Sequence, residues 1–279
     1  MKELGERVAV ITGGGSGIGE ALALACADAG MHVAVADVEL DAASRVAEAV
    51  REKGRRALAV HTDVADRASV EELARLCYEE FGACHLLCNN AGVLIVGPLE
   101  QRSDEDWQWL IDVNLRGVIH GIQTFLPRML RQQGERHIVN TSSVSGLAPF
   151  PGVGAYATTK YAIVGLSESL RMELEPYGIG VSVVCPGAVA TQIFESVRNR
   201  PAALGSGRPT SDEDIAALRG AGGEPAEILA PEVAAQAILD AVRRNDAFVI
   251  THPEQRPVIV QRYETLMAAF DRAEERGRP

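Results

Sequence analysis

Residues 7–19 read Arg7-Val-Ala-Val-Ile-Thr12-Gly-Gly-Gly-Ser-Gly-Ile-Gly19. The run through Thr12 is short, apolar and rich in β-branched residues, which suits a strand buried on both faces. The glycines that follow let the backbone turn tightly and approach a ligand. Residues 20–29 are alanine-rich and predict a helix. The start of such a helix presents unpaired N–H groups and a partial positive charge, which together attract a pyrophosphate. A glycine cluster alone is often only a flexible loop. Strand, glycines and helix in this order make Gly13, Gly17 and Gly19 the core of a dinucleotide site.

Outward from this unit the pattern repeats. Residues 31–37 predict a second strand, with Asp37 at its end. An acidic residue about 20 positions beyond the glycines is placed to accept hydrogen bonds from adenosine ribose hydroxyls. It would repel a 2′-phosphate, and the glycine loop holds no Arg or Lys to neutralise one. The expected cofactor is therefore NAD, with NADP disfavoured. The plainer reading of Asp37 is a helix cap. Further strands are expected at 57–61, 85–90, 136–141, 179–185 and 247–251. Helices are expected between them, at 40–53, from Asp66 to near Gly82, at 103–132, around Tyr156 to near Gly178, and at 231–244. Asp63 either meets the adenine amino group or caps a turn. The alternation predicts an α/β fold: a right-handed, doubly wound parallel sheet (Rossmann fold) in three α/β/α layers, one domain over 1–279.

Composition narrows the function. The 279 residues are 47% hydrophobic but only 5% aromatic, with a formal net charge of -11. That charge argues against nucleic acid as a partner, which needs a basic patch. No apolar run reaches membrane length, and the first residues have no apolar signal core, so a cytoplasmic protein off the membrane is expected. Cys26, Cys77, Cys84, Cys88 and Cys185 contain no Cys-x-x-Cys pair and read as reduced core thiols, with no metal site expected.

Tyr156 and Lys160 lie four residues apart in a predicted helix, hence on one face. A phenol with an ordinary pKa of about 10 is a poor acid or base at neutral pH, and a neighbouring ammonium favours the phenolate. The pair can therefore exchange a proton with a substrate. Upstream, residues 144–153 form an apolar, glycine- and proline-rich loop suited to a pocket wall. With Ser145, Phe150 and Phe194 they suggest an apolar substrate that is aromatic, alicyclic or steroid-like. Residues 192–229 break the pattern and read as a mobile substrate lid, helical only at 212–219. Arg198, Arg200 and Arg208 within it read as solvated side chains rather than partners of a substrate carboxylate. A helical extension is expected at 256–275, with Ile259, Tyr263, Leu266, Met267 and Phe270 along one side.

Taken together, the chain resembles a short-chain dehydrogenase/reductase of the compact, single-domain branch. The resemblance rests on Thr12-Gly-Gly-Gly-Ser-Gly-Ile-Gly19, Asp63-Val64, Asn89-Asn-Ala-Gly92, Asn114, Ser143, Tyr156-x-x-x-Lys160 and Pro186-Gly-x-x-x-Thr191, in the family's order and usual spacing. It implies an NAD-dependent secondary-alcohol dehydrogenase or ketone reductase. Tyr156 would be the general acid/base, and Ser143 would orient the substrate oxygen. Lys160 would hold the nicotinamide ribose and lower the tyrosine pKa. Asn114 would anchor a water leading to Lys160. Ser16, Ile18, Val64 and Asn90 would join the glycines, Asp37 and Asp63 around the cofactor. Pro186, Gly187, Val189 and Thr191 would hold the nicotinamide carboxamide. A homodimer or homotetramer is implied as well. The chain departs from the pattern at 247–253, where many members have a strand and a Gly-Gly turn. Two alternatives stand beside this reading: a catalytically silent NAD-binding regulator, or an epimerase or dehydratase on the same fold.

Overall fold

In the computed structural model, which describes residues 1–221 and 227–276, the opening stretch becomes β1 (Val8–Thr12) and α1 (Gly17–Asp28). There follow β2 (His32–Asp37), α2 (Leu40–Glu52), β3 (Ala57–His61), α3 (Arg67–Phe81) and β4 (Leu86–Asn89). Next come α4 (Asp104–Leu110), α5 (Gly117–Met129), β5 (Arg136–Thr141), α6 (Gly154–Leu174) and β6 (Ile179–Cys185). The chain continues through α7 (Asp212–Ala221), α8 (Pro231–Arg244), β7 (Phe248–Ile250) and α9 (Arg256–Glu275). The strands form one parallel sheet in the order β3-β2-β1-β4-β5-β6-β7. This is a Rossmann-like α/β domain.

Period-two alternation places Ala9 and Ile11 on the face covered by α1, α2 and α8, and Val8 and Val10 on the face covered by α3, α5 and α6. The α2 stripe Ala43, Val46, Ala47 and Val50 shows the matching helical spacing and is wholly buried. Each fully buried aliphatic side chain in these layers contributes about 1.5–3 kcal/mol. A polar thread crosses one layer. Asn89 donates to Asn140 at 2.9 Å, Asn140 donates to Ser167 at 3.0 Å, and Ser167 donates to the Ile163 carbonyl at 2.7 Å. It ties β4, β5 and α6 together at fixed register. Among the described residues no helix is long and apolar enough to cross a membrane, and all five cysteines are free and buried.

Three stretches differ from the plain reading of their residues. The helix expected at 103–132 is broken at Asn114, as the family resemblance implies: α4 and α5 flank a π-helical turn, Ile111–Arg116. Ser103 starts the unit with a capping box to Asp106, as Ser-x-x-Asp favours. The extra residue in the π turn swings Asn114 inward, to complete burial. The segment after β6 holds more helix than expected, with 3₁₀ turns at Gln192–Asn199 and Ala202–Leu204 before α7. Residues 222–226 of the expected lid lie outside the described residues. Finally, α9 is present, but it buries no residue within the chain. Tyr263, Leu266, Met267 and Phe270 are all exposed.

Candidate active site

The sheet order reverses between β1 and β4, and in such sheets the crevice beyond the strand C-termini takes ligands. A cleft of about 550 Å³ opens there. At one end lies the glycine loop. Gly13 and Gly17 have φ of 61° and 53°, a region that only glycine enters readily. A Cβ on Gly13 would lie 2.8 Å from the Ala91 Cα, and one on Gly17 would lie 2.8 Å from the Thr191 methyl. On Gly19 it would run into the Gly13 carbonyl oxygen. Gly19 itself is buried behind the cleft, whereas Gly13, Ser16, Gly17 and Ile18 line it. Ser16, before α1, makes no side-chain cap bond, so no side-chain cap occupies the first-turn N–H groups. A cradle kept clear of side chains and capped by free donors fits a pyrophosphate.

Asp37 sits at the β2 tip and lines the cleft. Its carboxylate accepts from the Gly15 N–H at 2.8 Å and the Glu39 N–H at 3.0 Å. Asp63 and Val64 line the same end. Asp63 also accepts from the Ala65 N–H at 2.9 Å, so it does cap its turn. Asn90 donates to the Thr12 and Gly13 carbonyls at 3.2 Å each, which locks the β4 exit against the glycine loop.

Midway, α6 presents Tyr156 and Lys160. The Lys160 ammonium, 2% exposed, donates to the Thr141 carbonyl at 2.9 Å and lies 5.4 Å from the centre of the Tyr156 ring. Burial pushes the Tyr156 phenol up to about 12, with the Ser143 hydrogen bond acting in the opposite direction. Burial likewise brings Lys160 down to about 8. Burial, not the lysine, sets the direction of the phenol shift in the protein itself. Both groups are desolvated, and one of the three ammonium hydrogens is donated to the Thr141 carbonyl. The Ser143 hydroxyl accepts from the Ser145 N–H at 3.1 Å and donates to the Pro186 carbonyl at 3.3 Å.

Asn114 does not line the cleft. Its carboxamide accepts from the Val93 N–H at 2.8 Å, and donates to the Val93 carbonyl at 2.9 Å and to Thr159 at 3.2 Å. It pins the chain beyond β4 to the helix that carries Lys160. Gly92 keeps the gap open: a Cβ there would lie 3.4 Å from the Asn114 oxygen and 3.5 Å from the Lys160 nitrogen.

Beyond β6, Pro186, Gly187, Val189 and Thr191 line the cleft, with Thr191 reaching back to Gly17. They are braced by His252, 2% exposed, a residue of the 247–253 departure that was not expected among the site residues. Its only sequence signal is its place after the last strand, on the edge where ligands bind. The remaining wall is apolar and includes Leu94, Trp109, Phe150, Ile193, Phe194 and Leu204. Ser145 faces the same space. Of the arginines in the expected lid, Arg208 is solvent-exposed as expected, Arg198 is partly exposed and Arg200 is buried, and each pairs with a carboxylate of the chain. Arg198 bonds Glu39 at 2.9 Å, Arg200 bonds Asp106 at 2.6 Å, and Arg208 bonds Asp214.

The family model for short chain dehydrogenase matches residues 7–202. The chain belongs to that family. This short-chain dehydrogenase is 37% identical to the C alpha-dehydrogenase of Sphingobium sp. over 96% of its own length and 87% of that protein. It is 30% identical to the CLA biosynthesis dehydrogenase/reductase of Lactiplantibacillus plantarum, over 96% and 95% of the two chains. The crystal structure of a short chain dehydrogenase/reductase from Burkholderia phymatum in complex with NAD superposes with a TM-score of 0.90. That match has 38% identity and covers 96% of this chain and 97% of the other. The short-chain dehydrogenase described here is thus an oxidoreductase whose family binds a nicotinamide cofactor and small-molecule substrates.

Proposed function

We propose that this protein is an NAD-dependent oxidoreductase that interconverts a secondary alcohol and a ketone with an apolar, aromatic, alicyclic or steroid-like body. The observation that carries the reading is the convergence of Tyr156, Lys160 and Ser143 in a cleft with a glycine cradle at one end and an apolar wall at the other. When bound, NAD supplies the hydride acceptor. Gly13, Ser16, Gly17, Ile18 and Gly19 would hold its pyrophosphate, and Asp37, Asp63, Val64 and Asn90 its adenosine half. Pro186, Gly187, Val189 and Thr191 would hold its carboxamide.

The chain's own groups manage the proton. Tyr156, protonated at neutral pH, is the donor to a ketone oxygen and becomes the phenolate; in the reverse direction that phenolate accepts the alcohol proton. Ser143 bonds the substrate oxygen and aligns it with the phenol. Lys160 holds the nicotinamide ribose and favours the phenolate when Tyr156 has given up its proton. Asn114 keeps the segment around Lys160 in place and supports a water path to it. The segment 192–229 acts as the substrate lid. The NAD complex of the Burkholderia phymatum relative and the dehydrogenase names of the others support the cofactor and the reaction class. The family resemblance supports a homodimer or homotetramer.

The test is Tyr156→Phe, assayed by NADH absorbance against a panel of secondary alcohols and by NAD binding. Turnover is expected to vanish while NAD affinity stays within about threefold, since the phenol oxygen acts on the substrate. Near-normal turnover by the variant would refute the mechanism.

A further inference from the structure

The His252 imidazole touches three separate segments. The Gly187 N–H donates to Nδ1 at 3.0 Å, and the Thr251 hydroxyl lies 2.6 Å from the same nitrogen. Nε2 lies 3.0 Å from both the Ala188 and the Glu227 carbonyl oxygens. A backbone N–H can only donate and a carbonyl can only accept, so these partners assign the proton to Nε2 and leave Nδ1 as acceptor. The ring also packs flat against Gly187, where a Cβ would lie 2.7 Å from the imidazole. The Ala188 carbonyl also accepts from the Leu229 N–H at 3.0 Å, and the Ala190 N–H donates to the Leu229 carbonyl at 2.9 Å. The turn is also tied to the proton-transfer groups, since the Pro186 carbonyl accepts from the Val144 N–H at 2.9 Å and from the Ser143 hydroxyl at 3.3 Å.

We propose that His252 is a positioning residue for the nicotinamide half of the cofactor site, fixing the 186–189 turn against β7 and the end of the lid segment. The proposal rests on the cofactor reading given above. Apart from the neighbouring Thr251 hydroxyl, every group His252 meets is main chain, and those of the turn are the Gly187 N–H and the Ala188 carbonyl, so the ring acts on the backbone of the turn rather than on its side chains. Its loss would leave the Gly187 N–H and two carbonyls without this partner, and the turn would relax. The adenosine end, built on β1 and β2, would not move.

The experiment compares binding of NADH, followed by its fluorescence, with binding of ADP-ribose, which lacks the nicotinamide, followed by calorimetry. His252→Phe is expected to weaken NADH binding by about tenfold or more, the usual cost of stranding buried polar groups, and to leave ADP-ribose within about twofold. His252→Asn, whose amide oxygen can still accept from Gly187, is expected to recover most of the NADH affinity. Equal losses for both ligands, or no loss for either, would overturn the proposal. Should His252→Phe not fold, Asn and Gln carry the test: Asn is expected to bind NADH more tightly than Gln, and equal affinities overturn the proposal. A wild-type chain that binds neither ligand would overturn the cofactor reading instead, so the two failures are distinguishable.

Discussion

Glu39 and Arg198 stand 159 positions apart in sequence and meet at 2.9 Å across the end of the cleft beside β2. Asn199 adds a second donor to the same carboxylate at 3.1 Å. Glu39 follows directly on the β2 tip, and Arg198 lies on the turn that starts after Thr191. The pair therefore links the cofactor half of the fold to the segment after β6. Half-exposed ion pairs contribute about 0–1 kcal/mol, so its value for stability is small. Glu39→Gln should leave the unfolding midpoint nearly unchanged and speed NADH release up to about fivefold. Stopped-flow fluorescence measures this, and an unchanged release rate would show that the pair does not gate the cleft. The hydrogen bonds from Arg198 and Asn199 hold the Glu39 carboxyl below its ordinary value of 4.5. A depressed carboxylate contributes stability above its unfolded pKa and loses it as pH falls through the folded one. The link is thus intact at neutral pH and opens only in acid.

Lys160 gives a signed pH dependence. Its folded pKa of about 8 lies below the ordinary 10.5. Between those values the unfolded chain binds more protons than the folded one, so this group makes stability rise with pH. The slope is at most about 1.4 kcal/mol per pH unit. Lys160→Met should remove this slope. Urea unfolding of both proteins at several pH values through the same window checks it, and parallel curves would mean that the buried ammonium is not the source. Tyr156, raised to about 12 from 10.0, acts in the opposite sense from about pH 10 upward, so the lysine slope is read below pH 10.

Asp106 carries a heavier load than a capping residue needs. It accepts from Arg200, whose side chain is 3% exposed, at 2.6 Å, and Arg102 lies 3.6 Å away. Arg200 also stacks over Trp109, 5.5 Å from the ring centre, and so sets the wall of the substrate space. Removing one partner of a buried pair leaves a charge uncompensated and costs about 3–5 kcal/mol. Asp106→Asn should lose roughly that much stability by urea unfolding, whereas Glu39→Gln should not. A loss below about 1 kcal/mol would place the pair with the surface bridges.

Much of this molecule is legible in the sequence because local pattern and final environment agree. The strands at Arg136–Thr141 and Ile179–Cys185 are found at the residues their apolar, β-branched runs mark. The helix that starts at Pro231 is marked by a proline at its first position and ends before Asn245, which adopts φ of 58°. What is not legible depends on distant partners. A mid-helix Asn114 is the local signal of the π turn, but its partner Val93 lies outside residues 103–132. Arg200 looks solvated until Asp106, 94 positions away, is seen beside it. His252 sits in an unremarkable strand exit, and its meaning comes from Gly187 and Glu227, which the chain brings to it only on folding. The phenol pKa fails for the same reason: spacing reveals the neighbouring lysine, but not the burial of both groups.

On the proposed reading, cofactor choice turns on Asp37. Its carboxylate is held at the β2 tip by the Gly15 and Glu39 N–H groups, with no Arg or Lys among its hydrogen-bond partners. The cation beside the glycine loop, Arg45, donates to the Gly15 carbonyl at 3.0 Å and is held by Glu20 at 2.5 Å. A 2′-phosphate placed at Asp37 would meet like charge, which costs several kcal/mol, or about a hundredfold and more in affinity. The wild-type chain should therefore favour NAD over NADP by at least that factor in kcat/KM. Asp37→Ser removes the charge and keeps a small acceptor for the loop. It should raise kcat/KM for NADP by about tenfold or more while lowering that for NAD. Steady-state kinetics with both cofactors decides the matter: a wild-type preference for NADP, or a serine variant with an unchanged ratio, would remove Asp37 as the discriminating group.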